Sequence, residues 1–152
     1  MSRLPDLDLD HRFRLAYALG LGLCVAVPLV LQALLGSAIR PGPEPADETI
    51  RQLGYSFSGL TFASAWFVTR RWNRIRGSLR AVPAGRRGRV LARETLLYSV
   101  LFGSSSLFGI LYYTLGGPHP ERYGRSFIAL STVMFFVFVP RLRAWRAAAR
   151  EE

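Results

Sequence analysis

Few residues of this chain could do chemistry inside an apolar environment. Pro28 and Gln32 fall within one long apolar run, and Ser99, Gly103 and Ser106 share one face of another. A proline within a membrane helix removes the N–H that would bond the carbonyl four residues earlier, here that of Cys24. Such points serve as hinges or unwound binding sites, although a static kink satisfied by a neighbouring helix is the commoner outcome. Gln32 offers one amide, to a neighbouring helix or to a solute. Ser105 and Gly109 lie beside Ser99, Gly103 and Ser106 at helical spacing, which makes a small-residue face. Faces of this kind let backbones approach closely and hydroxyls bond across the contact, and a hydroxyl-lined solute path would use the same residues. Packing is the expected role for all five.

The remaining reactive groups point away from catalysis. Glu94 stands at the start of an apolar run, where an acid favours a helix N-terminus and can pair with nearby arginines. His11 and His119 lie outside the apolar runs and on opposite sides, so they cannot jointly ligate a metal or haem between helices. Cys24 is the single cysteine, has no internal disulfide partner and suits a small packing residue. There is no Cys-His pairing, no Ser-His-Asp set within reach and no phosphate-binding glycine loop. No cofactor, no metal and no enzymatic activity are expected.

Arginine is the other conspicuous group. All twenty basic residues are arginine, and the net charge is +10. Arg70, Arg71, Arg74, Arg76, Arg86, Arg87 and Arg89 crowd one connection, together with Arg80 and Arg93. Basic segments bind phosphate backbones, but no aromatic residue interleaves between Arg74 and Arg93, and topology already requires positive charge here. Anionic headgroups are nearer partners, each arginine contributing about 1 kcal/mol close to the surface. Nucleic acid is not an expected partner; membrane lipid, another membrane subunit or a second copy of the chain is.

These groups must be positioned by apolar segments. Half of the 152 residues are apolar, and they are segregated from charge along the sequence instead of alternating with it as on a soluble helix. Four runs emerge: Leu15–Ile39, Leu53–Thr69, Thr95–Gly117 and Ser126–Val139, the last extended to 140 as a span. A spanning helix needs about 20 apolar residues. The first and third qualify outright, the second sits at the lower limit, and the fourth is short. Pro120 in a first helical turn and snorkelling by Arg125 and Arg141 rescue the fourth. The sequence therefore predicts an all-α membrane protein with four transmembrane helices in two hairpins. The cytoplasmic segments are 1–14, 70–94 and 141–152, and the external ones are 40–52 and 118–125.

Sixteen arginines fall on the side carrying the termini and the middle connection, against Arg40, Arg51, Arg122 and Arg125 on the other. Positive residues stay inside, so both ends are expected in the cytoplasm. The first run is too long for a signal-peptide core and its leader carries Asp6, Asp8 and Asp10, so it reads as a retained anchor. Tyr17, Trp66, Trp72, Tyr98 and Trp145 near one end, and Tyr55, Tyr112, Tyr113 and Tyr123 near the other, suggest aromatic belts at the two headgroup levels. At an offset of seventy, Gly54, Phe57, Leu60, Arg71 and Arg76 fall on Gly124, Phe127, Leu130, Arg141 and Arg146, which raises a parallel duplication of the hairpins. The all-arginine composition suggests a GC-rich bacterial source and hence the bacterial inner membrane. The functional expectation is a small accessory, anchoring or assembly subunit with a basic cytoplasmic face. The alternative is an oligomeric channel or carrier for a neutral or weakly polar solute.

Overall fold

In hydrocarbon every backbone N–H and C=O must bond within its own segment, so uncharged apolar runs form helices. The computed structural model describes residues 4–42, 47–116 and 121–150, and it is all-helical. Helix α1 (Leu4–Leu21) continues through a π-helical turn (Gly22–Ala26) into α2 (Val27–Leu34). Helix α3 is Asp47–Ser78, followed by a 3-10 turn (Leu79–Ala81) and α4 (Ala84–Gly116). Helices α5 (Glu121–Phe138) and α6 (Leu142–Arg150) complete the chain. Among the described residues three stretches are long and apolar enough to cross a membrane: His11–Leu34, Gly85–Gly116 and Glu121–Ala148. Their outward faces carry large apolar side chains, among them Leu15, Leu29, Val30, Val100, Leu107, Val133 and Val137. A soluble monomer rarely exposes apolar surface on that scale.

The helix bounds differ from the apolar runs where turn chemistry intervenes. The first run extends to Ile39, but α2 ends at Leu34 and Leu35–Ile39 forms a turn. Gly36 takes φ 84° there and donates its N–H to the Ile39 carbonyl. That left-handed conformation favours glycine because it has no Cβ. Much of the connection assigned to 70–94 is helical: α3 runs on to Ser78, and α4 starts beside Pro83. At 1.5 Å per residue, α3 and α4 are each about 50 Å long against a hydrocarbon core of about 30 Å. The arginine-rich end of α4, which is apolar enough to cross, therefore projects well beyond it.

Helix α4 is the hub, packing most extensively on α5 and α1 and less on α3. At the α4–α5 crossing Gly109 and Gly124 meet backbone to backbone. A Cβ on Gly109 would lie 2.6 Å from the Gly124 carbonyl oxygen, and one on Gly124 would lie 2.9 Å from that of Gly109. Above and below this contact lie two apolar clusters, one built on Cys24, Tyr98, Phe102 and Phe135, the other on Leu35, Tyr113 and Ile128. A third cluster gathers Phe13, Leu79, Leu91, Trp145 and Ala148 at the arginine-rich end.

One expectation meets a different arrangement. Tyr98, Tyr112, Tyr113 and Trp145 are buried core residues, not members of an aromatic belt, whereas Tyr55, Trp66 and Tyr123 are exposed. The two halves also pack unequally: α4 and α5 share a long seam, while α1 and α2 barely touch α3. Phe57 and Phe127, equivalent under the seventy-residue offset, meet edge to face with centroids 6.1 Å apart. Gly117, His119 and Pro120 lie outside the described residues.

Candidate functional site

The residues that could line a solute path are engaged between helices. Pro28 is buried, and the π turn before it ends with the Val27 N–H bonding the Gly22 carbonyl. The Cys24 carbonyl, which Pro28 deprives of its ordinary donor, accepts from Thr132 Oγ1 of α5 at 2.6 Å. Gln32 Nε2 donates to the Arg125 carbonyl at 2.7 Å, tying α2 to α5. Ser99 Oγ bonds the Thr95 carbonyl of its own helix at 2.8 Å, and the Ser99 carbonyl accepts from Cys24 Sγ. Leu23 fills the space beside Gly103. Ser105 Oγ reaches across to the Phe127 carbonyl at 2.8 Å. Ser106 is buried, and its Oγ has no partner among the described residues. Gln32, Ser105 and Thr132 thus join neighbouring helices, as interhelical polar groups in membrane bundles commonly do, whereas the Ser99 hydroxyl is satisfied within its own helix.

The arginine cluster divides into two groups. Arg71 grips Glu94 with two bonds, Nε to Oε2 at 2.5 Å and Nη2 to Oε1 at 2.7 Å. Glu94 is only 3% exposed, so this fork-on-fork pairing satisfies a carboxylate removed from water. The hydrogen bond from the guanidinium to Glu94 raises the Arg71 pKa above its already high ordinary value. Arg87 closes the turn between α3 and α4, donating from Nε to the Val82 carbonyl and from Nη2 to that of Arg80. Arg70, Arg74, Arg86 and Arg89 are exposed, Arg70 lying over the Trp66 ring at 5.2 Å. Arg76 is exposed and makes its own contact elsewhere.

These arginines sit on a folded cap, not on a loop and a tail. Leu142, Trp145 and Ala148 of α6 are spaced three apart and face one way. They meet Leu79, Leu91, Phe13 and the partly buried Trp72 and Ile75, with Trp72 and Trp145 edge to face at 4.6 Å. The sequence held this signal in the i, i+3 spacing, but a dozen residues after the last apolar run look like a tail. At the opposite end Arg125 salt-bridges Glu121 and reaches the Leu35 carbonyl at 3.4 Å. No spacing in the sequence foretold that link. Among the described residues no group of three His, Cys, Asp or Glu could hold a metal ion.

No protein family, curated protein or solved structure matches this chain.

Proposed function

We propose that the chain is a small non-catalytic component of a membrane assembly, an anchoring or assembly subunit of a bacterial inner membrane. In this reading α3 crosses the bilayer over 53–69, giving four spans with both termini in the cytoplasm. The cap then faces the cytoplasm, where it docks an acidic protein or anionic lipid. One contrast carries the reading. Gln32, Glu94, Ser105 and Thr132 are taken up in bonds between helices, whereas Arg70, Arg74, Arg86 and Arg89 stand exposed around an apolar-cored cap.

Support for the fourth span comes from how α3 handles its hydroxyls. Ser56, Thr61, Ser64 and Thr69 each bond a carbonyl four residues back, at 2.8 to 2.9 Å. Satisfied in this way, they lose much of the penalty that water-free surroundings impose. Between them Tyr55, Leu60, Phe62 and Trp66 point outward, Phe62 being 70% exposed. Orientation follows from the sixteen arginines against four.

Extraction in mild detergent tests the proposal. The tagged chain should co-purify with a larger complex, and Arg86→Glu with Arg89→Glu should release it. A chain that always emerges alone, or that conducts solute across liposomes, would overturn the reading.

A further inference from the structure

Where α5 ends, its last residues pass Thr69 and Trp72 of α3. Pro140, lacking an N–H, interrupts the backbone, and the chain turns into α6 with the Arg141 carbonyl accepting from the Ala144 and Trp145 N–H groups. The interruption leaves an open cleft of about 640 Å³. Its wall is apolar, formed by Trp72, Phe136 and Val139, and its rim carries Arg141 and Arg143. Both arginines are exposed, and neither is ion-paired to a described residue.

We propose that this cleft binds one anionic glycerophospholipid, its phosphate held by Arg141 and Arg143 and an acyl chain laid along Trp72 and Phe136. The inference deepens the reading above and rests on it, because the cleft must open at a membrane surface. Three observations favour this occupant. Phe136 and Val137, which line the cleft, face outward on a stretch long and apolar enough to cross a membrane, which gives an acyl chain lateral access. Two guanidinium groups at the rim offer the planar, forked donors that suit a phosphate. The volume falls within the range of roughly 300 to 1,000 Å³ typical of small-ligand sites. Inorganic phosphate or a soluble acidic peptide would match the charge and leave the apolar wall uncovered.

Native mass spectrometry of the full chain, extracted from vesicles of mixed phosphatidylcholine and phosphatidylglycerol, tests the site. The chain should retain phosphatidylglycerol preferentially. Arg141→Gln with Arg143→Gln should lower that retention about tenfold. Ala144→Trp, which fills the cleft without touching charge, should lower it as well, and Arg86→Gln with Arg89→Gln, on the cap outside the cleft, should lower it far less. If Ala144→Trp fails to fold, the two arginine pairs still decide the matter. Equal losses from both pairs would overturn the cleft and leave the basic cytoplasmic face standing. No preference for phosphatidylglycerol in the unaltered chain would overturn the cleft and leave an acidic protein as the cap's partner. Displacement of the lipid by inorganic phosphate would show a small-anion site and overturn the lipid assignment.

Discussion

The two seams on either side of α4 are built on different principles. Against α5, glycine meets glycine, and Ser105 bonds a carbonyl across a gap too narrow for side chains. Against α3, Ala65 and Val68 join the apolar core, and the rest of the contact is made by longer groups: the stacked Phe57 and Phe108 rings at 4.8 Å, Tyr112 beside Gly54, and the forked Arg71–Glu94 pair. The first seam depends on close approach, which dispersion rewards only while the backbones stay near. The second depends on a few long groups and tolerates movement between them. Helix α3 is therefore the separable part of the bundle, latched at its basic end, and α1, α4 and α5 form the rigid part.

The largest test of this contrast is steric. Gly124→Leu should push α5 off α4 and cost about 3 kcal/mol or more, read as thermal unfolding in detergent. Gly59→Leu on α3, where an added Cβ meets nothing within 4 Å, should cost close to nothing. Equal losses would erase the distinction between the seams.

Breaking the latch comes next. Arg71→Ala leaves the Glu94 carboxylate buried without its partner, a loss of about 3 kcal/mol. Hydrogen exchange should rise in α3 and the cap while the α4–α5 seam keeps its protection. Adding Glu94→Leu should recover part of the loss, since a buried pair replaced by apolar groups is often close to neutral. Uniform exchange along the chain would mean that α3 is not the looser part.

Smaller effects belong within the rigid part. Thr132→Val withdraws the donor from the Cys24 carbonyl and should cost about 1 to 2 kcal/mol. Pairing it with Pro28→Ala should soften that cost, because a backbone N–H returns at position 28. Gln32→Leu should cost least, about 0.6 kcal/mol, the average for hydrogen bonds between membrane helices. Both are measurable by the same unfolding assay.

The helical, membrane-crossing character was legible because charge is absent from long runs, and that pattern needs no tertiary information. The engagement of Pro28 and Gln32 between helices was legible only as a class. That Thr132 and the Arg125 carbonyl would be the partners depends on helix rotation, which no local pattern encodes. The cap was missed because its apolar residues come from four separated places: Phe13, Leu79, Leu91 and Trp145. They stand far apart in arginine-rich sequence, and only the fold brings them together. The aromatic belts were misread for a related reason, since ring position along a helix does not say which face the ring occupies. Helix α3 falls between these cases, because hydropathy counts its serines and threonines as polar although their protons are already bonded to its own backbone.

The most direct test concerns α3 itself. In a Cys24→Ala background, single cysteines replace Arg51 and Arg86, and sealed right-side-out vesicles are treated with a membrane-impermeant maleimide. A cysteine at position 51 should label at once, and one at position 86 only after the membrane is opened. Labelling of both from the same side would mean that α3 does not cross the bilayer, and the four-span arrangement with its cytoplasmic basic cap would be wrong.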